Sequence, residues 1–98
     1  MIYKYILGKP SEIAPGCNML RINKAEVKKV LDIQLQGEVA VMWAEVELKD
    51  YDTAFLIEVA WTGYQEPIES QHIATIQEPS TGLVYHYYIH NPVETFDV

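Results

Sequence analysis

Apolar positions along this chain recur mostly at every second residue, the period of a strand that buries one face. Residues 2–7, Ile-Tyr-Lys-Tyr-Ile-Leu, are β-branched and aromatic and are stopped by Gly8 and Pro10, which predicts a first strand. Residues 8–18 hold Gly8, Pro10, Ser11, Pro15, Gly16 and Asn18 and read as a loop, with a short extended piece at 12–14. Residues 19–26 fit either a helical turn or a ragged strand. From Lys29 the alternation is regular. Lys29, Leu31, Ile33 and Leu35 share one face, and Val30, Asp32, Gln34 and Gln36 the other. Gly37 supplies a turn, since glycine tolerates positive φ. Residues 39–48 return with Ala40, Met42, Ala44, Val46 and Leu48 on one side. Residues 53–61 set Phe55, Ile57, Val59 and Trp61 against Ala54, Leu56, Ala60 and Glu58, the last expected in solvent. Two more strands are predicted at 71–77 and 83–90. Pro79 and Gly82 lie between them, Asn91-Pro92 ends the second, and 93–98 reads as a loose tail.

About six extended segments at hairpin spacing, with little helix, predict a mainly β fold. The expected form is an antiparallel sheet folded as a sandwich or open barrel. Ninety-eight residues suffice for one core, so residues 1–98 are expected to form a single domain. Several strands are apolar on both sides. The second side needs a cover: another sheet, the 8–26 segment, or a second subunit. A homo-oligomer is the expectation that follows from the last.

Composition narrows the class. The chain is 49% apolar and 21% charged, a globular balance. No run approaches the ~20 apolar residues of a membrane helix. The first residues lack a secretory pattern because Lys4 interrupts the apolar run. One cysteine, Cys17, excludes an internal disulfide framework and a cysteine-based zinc cluster, so a cytoplasmic setting is expected. All seven basic residues lie at or before Lys49, whereas residues 50–98 carry eight acidic groups and no Lys or Arg. An extended nucleic-acid groove needs several cations, which the second half lacks. A negative surface suits a basic protein partner or plain solubility.

The last strand is the richest in chemistry. Alternation puts Val84, His86, Tyr88 and His90 on one face, where His86 and Tyr88 are candidates to line a ligand. His86 and His90 stand ~13 Å apart at ~3.3 Å per residue, too far to share one metal ion without a bend. No metal site or cofactor is therefore expected. Glu45 and Glu47 share a strand face with Trp43, and paired carboxylates can divide acid and base work. An enzyme built on Glu45, Glu47 and His86 is one alternative. Thr62-Gly63 before Tyr64 offers a ligand loop, and Ser80-Thr81-Gly82 offers backbone N–H groups to an anion. Arg21, Lys24, Lys28 and Lys29 form the one cation cluster, suited to a phosphate. No Ser-His-Asp order or Cys-His pairing is compelling, and a nucleotide-binding glycine pattern is absent.

Taken in order, several pieces resemble a family of small uncharacterised proteins found largely in phages and prophages. They are Ile2-Tyr3-Lys4-Tyr5, Ala14-Pro15-Gly16, residues 30–37, and Met42-Trp43-Ala44-Glu45-Val46. They continue with Phe55 through Thr62-Gly63, Ile73-Ala74-Thr75-Ile76-Gln77, and Gly82-Leu83-Val84-Tyr85-His86. Tyr64 stands where that family commonly has histidine after Thr-Gly, and residues 17–26 look like an insertion. The resemblance implies a β-rich phage accessory protein with no established enzyme activity. The expected function is binding without catalysis, in counter-defence. The protein would inhibit a host immune protein or sequester a nucleotide-like signal in the host cytoplasm. In that trap Trp43, Tyr64, His86 and Tyr88 stack the base, and Arg21, Lys28 and Lys29 meet phosphate. A structural or virion-associated β module is the other alternative.

Overall fold

The computed structural model describes residues 1–66 and 68–90 and the backbone of 94–95. The strands are β1 (Ile2–Gly8), β2 (Gly16–Ile22), β3 (Ala25–Gln36), β4 (Val39–Leu48), β5 (Thr53–Trp61), β6 (Gln71–Gln77), β7 (Val84–Ile89) and β8 (Glu94–Thr95). One short helix, α1 (Pro10–Ile13), joins β1 to β2. Proline suits its first turn, where an N–H has no helical partner anyway. The strands form two antiparallel sheets that do not close into a barrel. One runs β1-β4-β3 and the other β2-β5-β7-β6, with β8 pairing the start of β5. The mainly β, sandwich-like expectation therefore holds. No helix among the described residues is long and apolar enough to cross a membrane.

The sheets meet over a shared core that includes Ile22, Ile33, Met42, Ile57, Val59 and Tyr87. Burying one such side chain stabilises by ~1.5–3 kcal/mol relative to leaving it in water. β4 behaves as its alternation predicts: Ala40, Met42, Ala44 and Val46 are buried, while Glu45 and Glu47 are exposed.

β3 departs from simple alternation. Bulges between Val27 and Lys29 and between Val30 and Asp32 each add one residue against β4. Ala25, Val27, Val30, Ile33 and Leu35 thus stand opposite Leu48, Val46, Ala44, Met42 and Ala40. Each bulge shifts the phase by one. Lys29 therefore leaves the face assigned to it, and Leu31 is ejected to 41% exposure.

The region read as loop and ambiguous segment is more ordered than its composition suggests. Residues 10–13 are helical, and the stretch set apart as an insertion supplies the edge strand β2, paired with β5 from Gly16↔Val59 to Ile22↔Thr53. Strand geometry settles the helix-or-strand ambiguity at 19–22, because Leu20 and Ile22 alternate inward there. The 93–98 tail lies outside the described residues except for the backbone of Glu94–Thr95.

The chain passes between sheets twice at one end, after β2 and after β4. Asp52 ties both crossings. Its Oδ1 accepts from the Lys24 backbone N–H at 2.8 Å, and its Oδ2 accepts from Arg21 Nε at 2.8 Å. The Lys24 N–H and then Arg21 hold this carboxyl below its ordinary pKa. Beneath it Thr53 Oγ1 donates to the Ala25 carbonyl at 2.7 Å, satisfying a hydroxyl in a fully buried position. The corner fixes how β5 enters the second sheet, and with it the register of everything β5 carries.

Candidate functional site

Tyr85, Tyr87 and Ile89 of β7 are buried, so Val84, His86 and Tyr88 face away from the core. Neighbouring strands put polar side chains beside them. His86 lies between Ala60 of β5 and Thr75 of β6, and Tyr88 between Glu58 and His72. On the far side of β5, Cys17 stands opposite Glu58. The outer face of the four-stranded sheet therefore gathers His72, His86, Tyr88, Glu58 and Cys17, and His90 follows at the end of β7.

These groups are organised. His86 Nε2 is 2.9 Å from Thr62 Oγ1 and its Nδ1 is 3.0 Å from Thr75 Oγ1. With a neutral imidazole, one ring nitrogen donates and the other accepts, so two threonines fix the ring plane. His72 Nε2 reaches the same Thr75 hydroxyl at 2.9 Å, and its ring meets Tyr88 edge-on at 5.3 Å. Nearby, Ser70 Oγ donates to Glu58 Oε1 at 3.3 Å and lies 2.7 Å from His90 Nε2. Glu58 Oε1 is 3.4 Å from that same nitrogen. A hydrolase relay needs the carboxylate on the histidine's other nitrogen. Ser70, His90 and Glu58 are not arranged that way.

Beside His86 the loop after β5 walls a cleft of about 280 Å³, lined by residues including Trp61, Thr62, Tyr64, Glu66, His86 and Tyr88. Three aromatic rings, an oriented imidazole and a carboxylate surround a space large enough for one small ring system.

The family model described as Domain of unknown function (DUF7352) matches residues 1–95. The chain belongs to that family. No curated protein and no solved structure matches the chain. The matched span takes in every strand of both sheets and all the cleft residues.

The fold brings some of the expected site residues of this DUF7352 chain together and separates others. Tyr64, His86 and Tyr88 share the cleft. Trp43 does not join them. It lies on β4 of the other sheet, between Lys4 and Asp32. Lys28 and Lys29 are on β3, also in the other sheet; Lys28 sits 3.6 Å from Glu26 and 3.5 Å from Glu47, and Lys29 stands opposite Glu45. Arg21 shares the cleft's sheet but is held by Asp52, its β5 neighbour Ala54 lying six residues, or ~20 Å, from Ala60. Glu45 and Glu47 occupy the opposite outer surface of the sandwich from His86, so the three do not converge. Lys49 and then Lys28 hold the Glu47 carboxyl below its ordinary pKa, which suits an ion pair and not a proton donor near neutrality.

Glu58 is a correction. It is not simply solvated: its side chain is 23% exposed and bonded to Ser70 and His90. The sequence reading also passed over Cys17, Ser70, His72, Thr75 and His90 as partners of one another. They come from β2, the segment before β6, β6 and the position just after β7, and nothing in their linear spacing couples them.

Proposed function

We propose that this protein acts by binding and not by catalysis, and that the cleft beside His86 takes up a small ligand bearing a flat heteroaromatic ring, such as a nucleobase. The observation that carries this reading is the convergence of Tyr64, His86 and Tyr88 around one cleft, with the imidazole oriented by Thr62 and Thr75. Aromatic faces hold a base by stacking, and the His86 imidazole, its two nitrogens engaged by Thr62 and Thr75, presents a fixed ring face beside them. Glu66 lines the cleft while Arg21, Lys28 and Lys29 sit elsewhere, which favours a nucleoside-like moiety over a polyphosphate. In the counter-defence setting suggested by the phage-family resemblance, the protein would sequester a base-bearing immune signal in the host cytoplasm, leaving the phosphate in solvent.

Calorimetric titration with adenosine, guanosine, cytidine, cyclic nucleotides and ADP-ribose tests this directly. One of them binds with a stoichiometry of one per chain, and Tyr88→Ala weakens it by roughly 10- to 100-fold, the loss expected from one stacking ring. Failure of all of them to bind at millimolar concentration removes the reading.

Self-association is the second part of the proposal. Strand β1 is a sheet edge, and Ile2 and Ile6 project from it at 58% and 68% exposure. On the outer face of the three-stranded sheet Ile6 stands opposite Val41, Ile2 opposite Glu45, and Lys4 between them opposite Trp43. An exposed apolar edge strand is commonly covered by a copy of itself. Light scattering after size exclusion is expected to give a dimer or larger species that Ile6→Lys converts to monomer. A wild-type monomer at high concentration rules the oligomer out.

A further inference from the structure

Where β2, β5 and the end of β7 run side by side, three different metal-ligating groups converge on the outer face. Cys17 Sγ, a Glu58 carboxylate oxygen and a ring nitrogen of His90 all lie within 4.8 Å of one another. We propose that these three residues form a binding site for a divalent cation of zinc type. This site goes beyond the ligand cleft and does not depend on it.

Three features support the assignment. The first is geometry. Tetrahedral zinc with bonds of ~2.0–2.3 Å sets its ligand atoms about 3.3–3.8 Å apart. Glu58 Oε1 and His90 Nε2 already stand at 3.4 Å. Cys17 Sγ lies within 4.8 Å of both, and an exposed cysteine adjusts its distance by side-chain rotation.

The second is donor chemistry. A thiolate, an imidazole and a carboxylate together suit zinc or cobalt far better than calcium or magnesium, which take oxygen donors. Two anionic ligands and one neutral ligand balance a divalent charge. Residues 50–98 contain no Lys or Arg to compete for Glu58.

The third is the surroundings. Ser70 Oγ, 2.7 Å from His90 Nε2 and 3.3 Å from Glu58 Oε1, stands beside two of the three donors. Three protein ligands leave a fourth position for water or for a group on a bound molecule, and the Ser70 hydroxyl is placed to hydrogen-bond it. His86, four residues along the same strand, is not a ligand. His90, just past the end of β7, meets Glu58 of the adjacent strand β5 and Cys17 of β2 beyond it.

Cobalt serves as the spectroscopic probe and zinc as the competitor. Titrating the full chain with Co²⁺ is expected to give a thiolate-to-cobalt charge-transfer band and tetrahedral d–d bands saturating at one ion per chain. Zn²⁺ then displaces both. Cys17→Ser abolishes the charge-transfer band, and Glu58→Gln and His90→Ala each weaken Co²⁺ binding at least tenfold. All three variants alter groups on the sheet surface, and their circular dichroism melts report folding separately. Absence of the charge-transfer band in folded wild-type protein overturns the site. So does Co²⁺ binding that persists unchanged in Cys17→Ser, which means adventitious capture by other histidines or carboxylates.

Discussion

Tyr87→Ala is expected to destabilise the domain by about 3–5 kcal/mol, the range for emptying a buried aromatic position. A domain of this size has roughly 5–15 kcal/mol of total stability, so the variant is close to unfolding. Tyr87 is 0% exposed and heads the largest fully buried side chains. It stands opposite Val59 of β5 and Ala74 of β6, at the centre of the four-stranded sheet's inner face. The phenol itself is a liability. Its hydroxyl is buried and has no hydrogen-bond partner among the described residues. An unsatisfied buried donor costs ~1–3 kcal/mol, so Tyr87→Phe should keep the packing and raise stability by about 1 kcal/mol. Urea denaturation separates the two effects, and a destabilised Tyr87→Phe would show that the hydroxyl has a partner after all.

The same residue predicts an alkaline response. Burial, and then the neighbouring Tyr85 and Glu78, raises the Tyr87 pKa well above its ordinary value. The unfolded chain ionises this phenol near pH ~10 while the folded chain still holds the proton. The unfolded state then binds fewer protons, so stability is complete below pH ~10 and falls as pH rises beyond it. Tyr87→Phe should flatten that decline, as read from melting temperatures across the alkaline range.

Ile33→Ala should cost about 2–5 kcal/mol while Leu31→Ala costs under ~0.5 kcal/mol, although both residues are apolar and sit two apart on one strand. Regular alternation gives them the same face and similar costs. The bulge between Val30 and Asp32 separates them: Ile33 is 2% exposed and faces Met42, whereas Leu31 has no partner on β4. Chemical denaturation of the two variants checks the bulge directly. Equal losses would mean that β3 pairs without it.

Much of the architecture was readable from local pattern. β4 and β5 follow period two without interruption, and their buried and exposed residues fall where alternation places them, apart from the rim residues Leu48 and Trp61 and from Val41, Ala54 and Ala60, which are buried on the outer faces. The Gly37 turn, at φ 65°, joins β3 to β4 as its lack of a Cβ allows. β2 was harder. Its sequence, which follows Pro15 and contains Gly16 and Asn18, has weak strand propensity at its start, and pairing with β5 overrides that. Tyr64, His86 and Tyr88 were visible because loop and strand positions are local properties. The separation of the cations from them was not. Lys28 and Lys29 are near Arg21 in sequence, but the chain changes sheets between Ile22 and Ala25, and that short crossing sends them to the opposite surface.

The sequence by itself determined that this chain is built of antiparallel strands, which residues most of those strands bury, and that its second half has no lysine or arginine. Those features rest on residue type and on spacing within one segment. Only the tertiary structure decided the register between strands, the two bulges of β3, and the meeting of Cys17, Glu58 and His90. Such meetings depend on which strands become neighbours and in what alignment, and that is set by the whole core packing at once, not by any one stretch of chain.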